Sequence, residues 1–447
     1  MANYILLESL ELESSAASIT FANIPQTGYT DLKIVMSART TETYNYASYT
    51  IAFNGSSTGF TGKDLYGTNS LAGSANRTTT YYNFDGASAT ANTFSNIEWS
   101  IPNYTSSNNK SFSMDAVSED NTAFANASLI AGLWSNTAAI TSITIAGNSS
   151  SLVQYSTFSL YGLAATGTSP AIAPKASGGN VIDTDGTYWI HTFNTSGTFT
   201  PLVPLTCDYL VVAGGGGGGG GIGGGGGAGG LRSTITATGG GGSLETALSL
   251  AATSYPVTVG AGGTGGNNTV KGVSGSNSVF STITSTGGGG GGAGQSGDTQ
   301  MNGLTGGSGG GQGAYSTAGQ NNAAGTANQG YQGGSAASGG NGGGGGGAGA
   351  VGANATTTIA GNGGAGVATS ITGSSVTYAG GGAGGAYTGE TAGTGGSGGG
   401  GNATNSDTVG TAGTANRGAG GGGGGYQSSG ALGGAGGSGV VIIRYAV

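Results

Sequence analysis

One histidine, His191, and one cysteine, Cys207, serve a chain of 447 residues. A Ser-His-Asp arrangement needs a histidine bonded to nucleophile and acid at once. His191 instead alternates with Trp189 and Phe193 along a strand-like stretch, which gives it the role of a packed side chain. Zinc takes three or four Cys or His ligands, more than this chain has. Carboxylates gather at Asp183/Asp185 and at Asp115/Glu119/Asp120. The first pair falls at an Asp-Gly turn without the further ligands and terminal glutamate of a calcium loop, so a turn role is expected. The second falls in a polar loop and reads as solvated. Glycosidase chemistry needs two carboxylates facing across a cleft, which linear order does not reveal. Gly-x-Gly-x-x-Gly matches recur throughout the second half, but none leads into the Lys-Ser/Thr of a phosphate-binding loop. No catalytic, cofactor-binding or metal-binding residue is assigned, and the chain reads as a non-enzyme. Cys207, at a strand edge, reads as a small buried hydrophobe.

Charge excludes a further class. The formal net charge is −8 with 10 basic residues in all, which leaves no electrostatic basis for holding a phosphate backbone. No run of 18 apolar residues exists, so no membrane insertion is expected, and Met1–Glu8 lacks the basic start of a secretory signal. What remains for function is surface. Polar segments 295–305, 312–332, 353–360, 386–393, 402–417 and 426–432 separate glycine blocks, and loops on a rigid scaffold are where binding is usually built. Within them Tyr315, Tyr331, Tyr387, Arg417 and Tyr426 have the most contact energy to offer. Solvated connectors are the competing reading, since the sequence does not show which end faces outward.

The elements that must carry these residues are unusual. Of 104 glycines, 15 precede Pro201 and 89 follow it. Gly214–Gly221 is a run of eight, and runs of six recur at 287–292, 342–347 and 420–425. Glycine has no side chain to bury, so an ordered core here must come from backbone hydrogen bonds and close backbone approach. The expected conformation is polyproline II, with three residues per turn and a rise of ~3.1 Å, packed as a bundle of polyglycine II helices. A flexible linker has the same composition. Against it stand the blockwise glycine, the intervening strand-like pieces Tyr255–Val259 and Ser374–Tyr378, and only nine charged residues after Pro201. Collagen is excluded by the missing Gly-X-Y period. Tyr209–Ala213 and Val440–Tyr445 bracket the glycine-rich part and are expected to pair and close it.

The first 165 residues read differently. Short alternating runs separated by Gly, Asn and Ser clusters predict antiparallel strands at 4–12, 18–22, 31–38, 48–53, 78–84, 94–101, 110–116, 127–133, 140–145 and 155–163. The resulting fold class is all-β plus polyglycine II. An N-terminal, jelly-roll-like antiparallel β-sandwich (1–165) has Trp99, Trp134 and Phe112 in its core. It is followed by a linker (166–179), a β-hairpin collar (180–213) and the polyglycine II bundle (214–447), closed by a strand at 440–445. Tyr44, Tyr46, Tyr49, Tyr81 and Tyr82 are expected on the sandwich surface, as cross-strand pairs or, if clustered, as a sugar-stacking face.

The ordered set Asp208-Tyr-Leu-Val-Val-Ala-Gly-Gly, Ala228-Gly-Gly-Leu-Arg-Ser, Tyr255-Pro-Val-Thr-Val-Gly-Ala-Gly-Gly, Gly361-Asn-Gly-Gly-Ala-Gly-Val, Tyr378-Ala-Gly-Gly-Gly and Gly436-Gly-Ser-Gly-Val-Val-Ile-Ile-Arg-Tyr resembles the glycine-rich domain of bacteriophage virion proteins, especially tail fibres and tail-tip adhesins. The resemblance covers residues 180–447, with fewer aromatics between the glycine blocks than in those adhesins. Stretches 17–25, 29–39, 131–135 and 156–162 look like a β-domain common in phage structural proteins. The resemblance implies a virion protein that binds a host cell-surface receptor, a saccharide or an outer-membrane protein, and joins other virion proteins through its N-terminal domain. A homotrimer fits fibres generally, while a polyglycine bundle can also be monomeric. A head-decoration or neck fibre without receptor binding, and a polysaccharide depolymerase, are the competing functions.

Overall fold

Alternating apolar residues over the N-terminal part fold as antiparallel strands, and the glycine blocks fold as extended segments bonded to one another. The computed structural model describes residues 4–119, 125–164, 174–294, 298–314, 322–337, 340–426 and 428–447. The chain divides into two units, Met1–Lys175 with Asn180–Trp189 and Val447, and Ala176–Gly179 with Ile190–Ala446. The segment expected as one collar, 180–213, is thus shared between them.

The strands of the first part are β1 (Tyr4–Glu11), β2 (Ser18–Phe21), β3 (Tyr29–Ala38), β4 (Tyr46–Phe53), β5 (Phe60–Thr68), β6 (Ala72–Arg77), β7 (Thr80–Asp85), β8 (Ser95–Ile101), β9 (Lys110–Glu119), β10 (Ala125–Trp134), β11 (Ile143–Gly147) and β12 (Thr157–Ala164). After them come β13 (Ala176–Ser177), β14 (Val181–Thr184) and β15 (Tyr188–Phe193). Within the first unit one sheet runs β14-β1-β12-β3-β8-β9-β10-β5-β6 and another β2-β11-β4-β7. Side chains of both meet in one core. Phe53 of β4 is edge-on to Phe112 and Trp134, at 6.1 and 5.4 Å, and Tyr49 of β4 stacks near Trp99, at 6.4 Å. Trp99, Trp134 and Phe112 are core residues, as expected. Two strands, β5 and β6, were not expected. Two tyrosines correct the surface reading: Tyr49 and Tyr81 are fully buried, because the inward alternation of β4 and β7 carries them into this core. Tyr44 and Tyr46 are exposed; the Tyr82 side chain lies outside the described residues.

The second unit continues with β16 (Gly197–Pro201), β17 (Leu205–Val212), β18 (Leu231–Ser233), β19 (Leu248–Leu250), β20 (Tyr255–Thr258), β21 (Ser278–Phe280), β22 (Ile283–Ser285), β23 (Val367–Thr369), β24 (Val376–Tyr378) and β25 (Val440–Ala446). Helix is confined, among the described residues, to one turn at Asp298–Met301 and a 3-10 turn at Gly239–Gly241. The bracketing strands pair as expected: β17 and β25 are antiparallel, Tyr209 opposite Ile443 and Val212 opposite Val440.

Between those strands the backbone supplies the core. Along Gly214–Gly219 the N–H donors visit three neighbours in rotation. Gly214 and Gly217 donate to Ser276 and Val273, Gly215 and Gly218 to Gly437 and Gly434, and Gly216 and Gly219 to Gly227 and Gly224. The carbonyls rotate likewise, accepting from Gly288 and Gly291, from Gly263 and Gly266, and from Gly421 and Gly424, all at 2.8–2.9 Å. A bonding direction that recurs every third residue gives this one segment six neighbours. All of Gly214–Gly221 is buried. Side chains are excluded by contact: a Cβ at Gly216 would overlap the Gly289 carbonyl, and at Gly218 that of Gly422.

Candidate functional site

The direction of each glycine segment follows from the register of its bonds. Gly214–Gly219 leaves β17, and Gly224–Gly230 returns antiparallel to it towards β18. Gly382 and Gly385 donate to Gly226 and Gly223, so this segment runs away from β17, and Gly420–Gly425 does so too through Gly421 to Gly216 and Gly424 to Gly219. The second unit therefore has a strand end, at β17, β18 and β25, and an opposite end, here called the tip.

The structure brings Tyr387 and Tyr426 together at the tip. Their rings stack at 5.8 Å with an interplanar angle of 25°. The backbone locks the pair, since Thr388 N–H donates to the Tyr426 carbonyl at 2.9 Å and Tyr426 N–H to that of Ala386 at 3.2 Å. Tyr331 and Arg417 lie at the other end. Tyr331 donates its N–H to Gly347 and its hydroxyl is against the backbone of Gly241. Arg417 lies over the Tyr378 ring at 5.2 Å and donates Nη1–H to the Thr377 carbonyl at 2.7 Å, which commits it to β24. Tyr315 lies outside the described residues.

Around the tyrosine pair are short polar turns. Asp407 organises one of them: its carboxylate accepts from the backbone N–H groups of Ser428, Ser429 and Gly430 and from the Ser428 hydroxyl at 2.6 Å. Asn268 Nδ2 donates to the Ser429 carbonyl, and Asn405 Nδ2 to that of Glu390, at 2.5 and 2.8 Å. Glu390 Oε2 is buried without a hydrogen-bond partner. Exposed Val270, Ile359, Val409 and Leu432 stand among these turns. Asp407 and Glu390 were not singled out in the sequence. The Asn-Ser-Asp-Thr composition at 405–408 was the available signal, since Asp and Ser in turns bond nearby backbone N–H groups.

His191 is fully buried. Its Nδ1 faces the Gly178 carbonyl at 2.6 Å and its Nε2 the Tyr445 hydroxyl at 3.0 Å. A carbonyl only accepts, so Nδ1 carries the proton and Nε2 accepts from Tyr445, whose oxygen accepts from Ala176 N–H at 3.1 Å. Burial pushes the imidazole pKa down to about 4 against the pull of the Gly178 bond, and Phe199 packs edge-on at 5.1 Å. This is a packed residue with both nitrogens occupied. Burial, then Asp208, pushes the Cys207 thiol up to about 12. Asp185 Oδ1 accepts from the N–H groups of Thr187 and Tyr188 at 2.8 and 2.7 Å, the turn role expected of it. Asp115 is exposed, but it and Glu119 belong to strand β9 and not to the loop expected of them, because the alternation of β9 continues through them; the Glu119 side chain and Asp120 lie outside the described residues. Among the described residues no three His, Cys, Asp or Glu side chains gather as metal ligands do.

No curated protein matches the chain in sequence. The family described as glycine-rich domain matches residues 193–446, more than half of the chain and nearly all of the second unit. The chain belongs to the glycine-rich domain family.

Proposed function

We propose that this chain is a non-enzymatic structural component of a bacteriophage tail fibre or tail tip, which binds the host cell surface through the turns around Tyr387 and Tyr426. The glycine segments are read as polyglycine II helices, which the three-residue recurrence of bonding directions supports. The first unit is read as a jelly-roll-like sandwich that attaches the chain to other virion proteins, which its two sheets with a shared core support.

The observation that carries the reading is the stacked tyrosine pair among hydroxyl- and amide-bearing turns, on segments whose backbone groups are bonded to neighbours on all sides. Loops on rigid elements hold binding geometry better than mobile ones. The groups available there make many weak contacts, through Thr and Ser hydroxyls, Asn amides and tyrosine faces. Several copies per particle would turn weak contacts into firm attachment. The ligand is a cell-surface saccharide or outer-membrane protein, and the site of action is the virion.

The test uses purified full chain on susceptible cells. Labelled protein should bind and should block infection at saturation, and replacing both Tyr387 and Tyr426 by alanine should weaken binding at least tenfold. Binding that fails outright, or survives the double substitution unchanged, would overturn the reading. Antibody gold over the capsid instead of the tail would assign the chain to head decoration.

A further inference from the structure

Two neighbouring strands of the first unit set carboxylates against each other. β1 and β14 are antiparallel, with Ser9 opposite Ile182 and Leu10 opposite Val181. Continued by one residue, the same register puts Glu8 opposite Asp183, whose charge acts on Glu8. Like charges directly across an antiparallel pair repel. Glu8 is also 8% exposed, and a buried carboxylate has to be paired, coordinated or protonated. Among the described residues no N–H or O–H group donates to it.

The Glu8 carboxyl is not sealed in. It lines, with Asp183, a small cavity of about 20 Å³, room for one water or one ion. Asn23, in the turn after β2, and Thr184 of β14 reach the same cavity, whose walls are otherwise apolar. Asn23 stands at φ 56°, a left-handed conformation that asparagine tolerates. Its side chain, too, makes no hydrogen bond among the described residues. Asn23 and Asp183 are exposed, so the cavity opens to solvent on their side.

The donor set narrows the occupant. Apart from the sealed Trp189 Nε1, every polar side chain at the cavity offers oxygen, as carboxylate, amide or hydroxyl, and none is basic. The lack of sulfur and imidazole disfavours soft metals, and the volume excludes an organic cation. Hard divalent cations take oxygen ligands and complete their shell with water, which the open side admits. A single proton, which burial and then Asp183 hold on Glu8 up to about pH 8, offsets one carboxylate; a divalent ion offsets both. We propose that Glu8, Asp183 and Asn23 hold a hard divalent cation, calcium or magnesium, which ties β14 and the turn after β2 to β1. This site is independent of the tip turns and stands or falls without them.

The experiment is isothermal titration calorimetry of the full chain, freed of metal with EDTA and dialysed, against calcium chloride and magnesium chloride at mildly alkaline pH. One equivalent should bind, and the melting temperature of the first unit should rise with ion concentration. Tighter calcium binding assigns a flexible shell of side-chain oxygens, and tighter magnesium binding a shell made mostly of water. Glu8→Gln, which keeps the shape and removes the charge, and Asn23→Gly, which keeps the left-handed turn, should each weaken binding at least tenfold. Asp115→Asn, exposed on β9, should leave it unchanged. Terbium bound in place of the ion should luminesce when tryptophan is excited, because Trp189 lines the cavity, and Glu8→Gln should abolish that signal. Absence of heat and of any shift in melting temperature with both ions overturns the proposal. So does binding that Glu8→Gln leaves undiminished, since that ion would sit elsewhere.

Discussion

A methyl group at Gly217 would overlap the Thr264 carbonyl, whereas the same atom at Gly67 meets nothing within 4 Å. Gly217→Ala is therefore expected to destabilise the second unit by about 3 kcal/mol or more, at the upper end of overpacking costs. Gly67→Ala should stay within about 0.5 kcal/mol; chemical denaturation of the two variants checks the contrast. Glu8 offers a second residue-level case. Burial, and after it the Asp183 carboxylate, pushes its pKa from an ordinary 4.5 up to about 8. The folded chain then holds a proton that the unfolded chain releases between those values. This contribution to stability is present in full below about pH 4.5 and is lost as pH rises through about 8. Glu8→Gln should remove that dependence and raise the melting temperature most above pH 8, as thermal denaturation across the range would show. At this scale the sequence was legible where the setting decided the matter: His191 fell in an alternating strand and Cys207 at a strand edge, and both are packed. Tyr49 and Tyr81 were misread because a tyrosine serves a core and a surface equally well, and only the pairing of sheets distinguishes them.

Strands with an apolar inward face were read well, and ten of the twelve in the N-terminal part were expected in nearly their observed places. The two missed, β5 and β6, are those whose inward face is polar beyond Phe60, the one core aromatic of β5. β5 turns Asp64 inward and Leu65 outward, Leu65 being 58% exposed, so its hydrophobic alternation points the wrong way. Turns were legible as turns, but not which of them meet, because that depends on the bonding register between segments far apart in sequence. Asp407 is the clearest example, holding Ser428–Gly430 from 21 or more residues away. Asp407→Ala should strip amide hydrogen-exchange protection from 428–430 while leaving that of Gly420–Gly424 in place. Equal loss along both stretches would mean that the turn and the glycine segment open as one.

The two units are expected to respond to acid in opposite senses. His191 has its pKa pushed down from 6.5 to about 4 by burial, so its contribution is present above about pH 6.5 and lost as pH falls through about 4. Glu8 works the other way in the first unit. Calorimetry at pH 8, 6 and 5 should therefore show one transition rising and the other falling, and two transitions moving together would contradict this assignment. The glycine core also has a consequence for how the chain is made. The partners of Gly215 and Gly218 are Gly437 and Gly434, more than 200 residues downstream. A ribosome adding ~5–20 residues per second needs roughly ten to forty seconds to cover that interval. Through all of it the Gly215 and Gly218 donors have no protein partner and are bonded to water, while Gly216 and Gly219 can already meet Gly227 and Gly224. Synthesis of the second unit thus ends in a single late event, in which segments made first wait for those made last.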